Sequence, residues 1–297
     1  MTLLAQSDRV VFWLEQRLMA WPPFRLCVMY RFHVSFLFFA MLLVQFSPLA
    51  EEKGYAPVFA FSCWHLALYV FNRYTDRMED TRNFPLEAMD AYHGRLALWL
   101  SVMLLLTGVV LLGVAGDSLF YYLASLPLVF LYGLRLPGLS KRIKDVVVLK
   151  NGYAVLVCWC LPVVLVAMTY GDGWSHDENT LRFIFLLAFY ITCYEILADI
   201  KDVGGDRESG VDTIAVRYGV SSAKLIVFLS IVVAWLVSWL YIDFFSYPFA
   251  GLILLSVPFI REGASALYFH GLIFATLAAI MLYYFIFVFP HVSAFSL

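Results

Sequence analysis

An all-α, polytopic membrane bundle of about nine transmembrane helices is the fold class that the sequence predicts, on the ruler of about 20 apolar residues per span. Three observations carry it. Of 297 residues, 63% are hydrophobic and only 14% charged, where a soluble domain has about 45–50% and about 25%. Apolar runs of spanning length recur from residue 27 to residue 290 with no soluble stretch of domain size between them. The charges that remain gather in alternate connecting segments, as the positive-inside rule requires of a multi-pass chain. Disordered, fibrous and disulfide-stapled classes are excluded, and the net charge of −2 gives no bulk basic character for nucleic acid.

The elements follow in order. Residues 1–26 place Asp8, Arg9, Glu15, Arg17 and Arg25 around Val10-Val-Phe-Trp-Leu14, without the basic start and short apolar core of a signal peptide. They predict an amphipathic lead-in on the membrane surface. One membrane domain is expected over 27–290, with spans near 27–48, 54–71, 94–114, 118–135, 146–169, 181–198, 222–242, 246–260 and 267–289. The 246–260 segment carries Pro248 and Pro258 and is the weakest of them. With the N-terminus cytoplasmic, 18 of the 20 Lys and Arg residues fall on that side, leaving Lys53 and Arg182 outside. That asymmetry predicts a bacterial-type inner membrane or its equivalent, the C-terminus outside and the chemistry on the cytoplasmic face.

Two acidic sets stand at the mouths of two spans. Asn72, Asp76 and Asp80 recur at i, i+4 and i+8, which stacks three oxygen ligands along one helical face. Asp199, Asp202 and Asp206 fall at i, i+3 and i+7, again on one face. Like charges so spaced repel, so a cation is expected between them. Mg²⁺ suits the pattern, because it takes one or two carboxylates and completes its shell with water and substrate phosphate. A basic loop, Arg135 through Lys141, Arg142 and Lys144, lies on the same side and suits an anionic phosphate.

The first set, with Asp199-Ile-Lys-Asp202-Val-Gly-Gly-Asp206-Arg207 and the later Gly210, Thr213, Arg217 and Gly219, resembles the UbiA superfamily of intramembrane prenyltransferases. Tyr194, five positions before Asp199, and the basic loop from Tyr132 to Asn151 add to the likeness, which covers roughly 25–290. The resemblance implies helices around a central cavity opening at the cytoplasmic side, two Mg²⁺ ions, an isoprenyl diphosphate donor, a lipophilic acceptor and a surrounding lipid bilayer. Asn72, Asp76 and Asp80 would serve one metal and Asp202 and Asp206 the other; Lys141, Arg142, Arg77 and Lys150 would hold the diphosphate. Asp76 and Asp202 would be catalytic through the metals, and Asp199 or Tyr194 would serve as base. Asn83-Phe84-Pro85-Leu86 departs from the family's Asn-Arg-Pro-Leu, with Arg82 near enough to compensate. The Asp-Val-Gly-Gly-Asp form is closer to the chlorophyll synthase, homogentisate and geranylgeranylglyceryl phosphate branches than to the 4-hydroxybenzoate branch. A terpene cyclase using the same ionisation chemistry, or a non-catalytic or transporter-like protein, are the alternatives.

Other features are read as structural. The six histidines show no ligand spacing, with His33 and His93 the two nearest the expected cavity, and the five cysteines are expected as buried thiols. The runs Phe36–Phe39 and Tyr283–Phe285 are expected to face lipid. Gly204-Gly205 is expected to bend the chain so that Asp206 reaches a metal.

Overall fold

A computed structural model describes residues 3–83, 85–134, 142–171, 178–240 and 246–290. Among these there are helices and no strand: α1 Leu3–Ala20, α2 Pro22–Met29, α3 Phe32–Lys53, α4 Ala56–Asn83, α5 Ala91–Ala115, α6 Phe120–Leu131, α7 Val147–Tyr153, α8 Leu161–Thr169, α9 Glu178–Ser209, α10 Ile214–Tyr218, α11 Val220–Leu240, α12 Ser246–Ser256 and α13 Leu267–Tyr283. α7 and α8 are joined through a π-helical stretch, Ala154–Cys160, into one continuous span.

Six helical segments are long and apolar enough to cross a bilayer: Phe32–Lys53, Ala91–Ala115, Leu149–Thr169, Glu178–Ser209, Val220–Leu240 and Leu267–Val288. The other three expected spans are helical too, in α4, α6 and α12. α6 and α12 have only 12 and 11 residues, about 17 Å at 1.5 Å per residue against about 30 Å of hydrocarbon. α4 and α9 err the other way, with 28 and 32 residues. Each outlasts its apolar run, so its acidic turns stay helical beyond the span and keep their acids on one face.

Local chemistry sets the ends. The Asp90 side chain caps α5 by accepting from the His93 backbone N–H at 2.8 Å, and Gly116 closes it in the left-handed region. Thr213 caps α10 in the same way. α5 and α6 meet where Gly108 lies under the fully buried Tyr122, whose hydroxyl donates to the Leu105 carbonyl at 3.2 Å. The core joins Phe38 and Phe46 of α3, Phe61 and Trp64 of α4, and Ile191 and Ile196 of α9. Trp99, Val114 and Trp239 are exposed, as residues facing lipid would be. The lead-in is fastened to the 261–268 segment: Ser265 Oγ donates to Glu15 at 2.5 Å, Tyr268 Oη donates to Asp8 at 3.2 Å, and Arg261 pairs with Asp8.

Several expectations are corrected. Gly204 and Gly205 make no bend, since α9 runs through them to Ser209 and neither has a positive φ. A continuous helix already turns Asp206 onto the face of Asp199 and Asp202. The aromatic runs do not all face lipid: Phe36 and Phe285 are exposed, but Phe38 is enclosed and stacks on His65, and Tyr284 is buried. Cys158, Cys160 and Cys193 are buried thiols, while Cys27 and Cys63 are half-buried.

Candidate active site

A cavity of about 180 Å³ sits where α4 and α9 leave the apolar core. α4 lines it with Asn72, Asp76 and Asp80, and α9 lines it with Tyr194, Glu195, Asp199, Asp202 and Asp206. The two acidic sets therefore face one space. Lys144, Lys150, Arg31 and Arg73 also line it, together with the apolar Leu37, Leu68, Trp159, Phe269 and Ile273.

Most of the acids are held by cations. Lys150 Nζ donates to Asp199 Oδ1 at 2.6 Å and lies 3.7 Å from Asp206 Oδ2, and Asn151 Nδ2 adds a contact to Asp199 at 3.4 Å. Asp76 pairs with Lys144 and, at 3.7 Å, with Arg142. Arg73 Nη1 meets Asp80 Oδ1 at 2.5 Å, and Lys201 Nζ meets Asp202 Oδ1 at 2.6 Å. Such pairing offsets repulsion among the stacked carboxylates. Three oxygens are nonetheless buried without a hydrogen-bond partner: Asn72 Oδ1, Asp80 Oδ2 and Asp206 Oδ2. Unpaired buried acceptors are costly, and a hard cation is the group that would satisfy all three. The donor set fits Mg²⁺. Among the described residues, no three acid, histidine or cysteine side chains yet converge into a metal cage.

The remaining predicted residues are placed as follows. Arg142 stands outside the cavity wall, its guanidinium bonded to Asp145 at 2.8–3.1 Å. Those bonds, set against a burial cost, hold the Asp145 carboxyl below its usual range. Arg77 does not reach the cavity; its guanidinium lies 5.4 Å over the Tyr74 ring. Tyr194 lines the cavity with its hydroxyl bonded to Thr276 Oγ1. Lys141 and Phe84 lie outside the described residues, as does the Arg82 side chain.

Sequence reasoning missed a second buried network. Glu87 Oε1 accepts from His270 Nε2 at 2.8 Å, and His270 Nδ1 lies 3.0 Å from His33 Nε2. Arg31 approaches the other Glu87 oxygen at 3.4 Å, and Arg73 donates to the Glu87 carbonyl at 2.8 Å and to the Met29 carbonyl at 3.2 Å. Burial pushes the Glu87 carboxyl up, but His270, Arg31 and Lys201 outweigh it and hold it well below the usual carboxylate range. Arg31 sits between α2 and α3 with φ 58°, the one non-glycine residue with positive φ among those described. His33 and His93 do not line the cavity; His33 belongs to this network and His93 to the α5 cap. No signal in the sequence joins Glu87 to His270, which are 183 positions apart. Glu195 was also missed, although its i, i+4 spacing to Asp199 was there to read.

Two acidic sets on separate helices thus face one cavity that Lys144, Lys150, Arg31 and Arg73 also line. The UbiA prenyltransferase family matches the chain over residues 33–268. The chain belongs to this family. No curated protein and no solved structure matches it. UbiA membership agrees with the multi-pass membrane helices, and the family is one of membrane prenyltransferases.

Proposed function

We propose that the protein transfers an isoprenyl group from an isoprenyl diphosphate to a lipophilic acceptor within the membrane, with Mg²⁺ as cofactor, releasing diphosphate. The observation that carries this is the set of oxygens of Asn72, Asp80 and Asp206 without a hydrogen-bond partner, in one cavity whose lining also holds basic and aromatic side chains. Asn72, Asp76 and Asp80 would hold one Mg²⁺, and Asp202 and Asp206 a second. Bound there, Mg²⁺ would supply positive charge against the negative charge that develops on the departing diphosphate.

The chain's own residues do the rest. Lys144, Lys150 and Arg73 line the cavity against the acids, near enough to give countercharge to a diphosphate. The allylic carbon becomes positive as its bond to oxygen breaks, and the faces of Tyr69, Trp159 and Phe269 suit that charge. The apolar wall excludes water that would quench it. The excess of Lys and Arg in alternate connections supports a cytoplasmic N-terminus and site and an outside C-terminus. The Asp202-Val-Gly-Gly-Asp206 form favours the chlorophyll synthase, homogentisate and glyceryl-lipid branches for the acceptor.

Diphosphate release by the purified protein tests the reading, using Mg²⁺ and prenyl diphosphates of several lengths, with and without a membrane lipid extract. Release that depends on the extract and disappears in Asp76→Ala and Asp202→Ala is the expected result. Release without any acceptor, yielding a cyclic hydrocarbon, identifies a cyclase instead, and no release from any donor removes the enzymatic reading.

A further inference from the structure

Six acids line the cavity, and five of them are paired with a lysine or arginine. Glu195 is the exception among the described residues, with no cation at ion-pair distance and one hydrogen-bonding neighbour, Tyr69. It stands one turn before Asp199, about 6 Å along the axis toward the membrane interior. That offset puts it past the metal motifs, on the side where the donor's reacting carbon would lie beyond its diphosphate.

Its surroundings fix its direction. Trp159 Nε1 donates to the Tyr69 hydroxyl at 2.7 Å, which leaves that hydroxyl's own proton available to the neighbouring Glu195. The π-helical stretch carries Trp159 and Cys158 into the same wall, a distortion that often marks functional sites. Tyr132 completes the surround. A carboxylate has several acceptor positions, and Tyr69 occupies one of them. The rest of this half-buried carboxylate faces the cavity, where it can accept from a donor bound there.

We propose that Glu195 is the acceptor-side base: it binds the hydroxyl of a lipophilic alcohol or phenol and takes its proton during prenyl transfer. This rests on the prenyl-transfer reading above. As the acceptor oxygen forms its bond to the prenyl carbon, the carbon–oxygen bond to diphosphate breaks and its electron pair leaves with the diphosphate. The hydroxyl proton passes to Glu195, so the carboxylate becomes a carboxylic acid and charge balances. The product is a prenyl ether. Asp199 and Tyr194, the two bases expected from sequence, are already engaged by Lys150 and Thr276.

The test has a binding arm and a turnover arm. Para-dodecylphenol and hexadecanol, each against its own methyl ether, are titrated into the purified protein in detergent. Wild type should prefer the hydroxyl compounds by about tenfold, the scale of one hydrogen bond to a charged group. Glu195→Gln should lose the preference, and Glu195→Asp should keep part of it. In turnover, Glu195→Gln should bind a non-reactive prenyl thiolodiphosphate with Mg²⁺ as wild type does, while ether formation falls about 100-fold. An intact hydroxyl preference in Glu195→Gln, or none in wild type, overturns the proposal. Weakened thiolodiphosphate binding in Glu195→Gln, in parallel with lost turnover, also overturns it, by placing the residue on the donor side. A wild type that discriminates through Glu195 yet releases no diphosphate supports the binding site and overturns the transfer reading, so the two failures are distinguished.

Discussion

Lys150 holds its ammonium 2.6 Å from the Asp199 carboxylate, the shortest tie across the cavity between α7 and α9. Both groups are largely buried, so each compensates a charge that would otherwise be stranded. Lys150→Met should therefore cost about 3–5 kcal/mol. Lys150→Met combined with Asp199→Asn should recover part of it, because Asp199 is then no longer a stranded charge while Asp206, 3.7 Å from Lys150, still loses its cation. Thermal unfolding in detergent across the four proteins of the cycle checks this, and simple additivity of the two losses would refute it.

Metal and diphosphate should bind together. Inorganic diphosphate with Mg²⁺ should raise the unfolding midpoint of wild type, by about 2.7 kcal/mol of stability at a hundredfold excess over Kd. Asn72→Ala and Asp206→Ala should lose most of that gain, since each removes an orphaned oxygen. Chelation by EDTA should abolish it. A midpoint in Asn72→Ala that still responds fully would remove Asn72 from the metal site.

Glu87 should govern the acid limb of stability. Its carboxyl is held well below the usual range by His270 and Arg31 against the cost of burial. A depressed folded-state pKa gives stability that is fully present above the unfolded value, about 4.3, and is lost as pH falls through the folded one. Glu87→Gln should unfold about 3 kcal/mol more easily at pH 7 and show a flatter midpoint below about pH 4.3. Parallel acid limbs in the two proteins would contradict this.

Gly108 and Gly113 on α5 should respond oppositely to alanine. A Cβ on Gly108 would sit 2.1 Å from the Tyr122 hydroxyl and 2.3 Å from its ring, which is fully enclosed and has nowhere to move. Overpacking of about 1–3 kcal/mol should exceed the roughly 1 kcal/mol gained in helix propensity. Gly113 has nothing within 4 Å of its Cβ position, so Gly113→Ala should be neutral or stabilising. Unfolding midpoints of the two variants decide it.

Some of the site was legible because it is local. Asn72, Asp76 and Asp80 share a helical face by spacing alone, and so do Asp199, Asp202 and Asp206. The cations were less legible. Arg73 and Arg77 are four residues apart and share a face, so periodicity cannot separate them. Tertiary neighbours do: the Met29 and Glu87 carbonyls draw Arg73 inward to Asp80, while Arg77, one turn on, lies over Tyr74.

The sequence by itself determined the helical membrane class, the two acidic faces and the family likeness, because each rests on composition or on spacing within one helix. Only the tertiary structure decided which cation meets which acid, that His270 and His33 stand behind Glu87, and that among the described residues Glu195 alone of six cavity acids has no cation at ion-pair distance. The physical reason is that a side chain's charge balance depends on partners brought from distant parts of the chain, such as Lys150 to Asp199 and Trp159 to Tyr69, and helical periodicity carries no record of them.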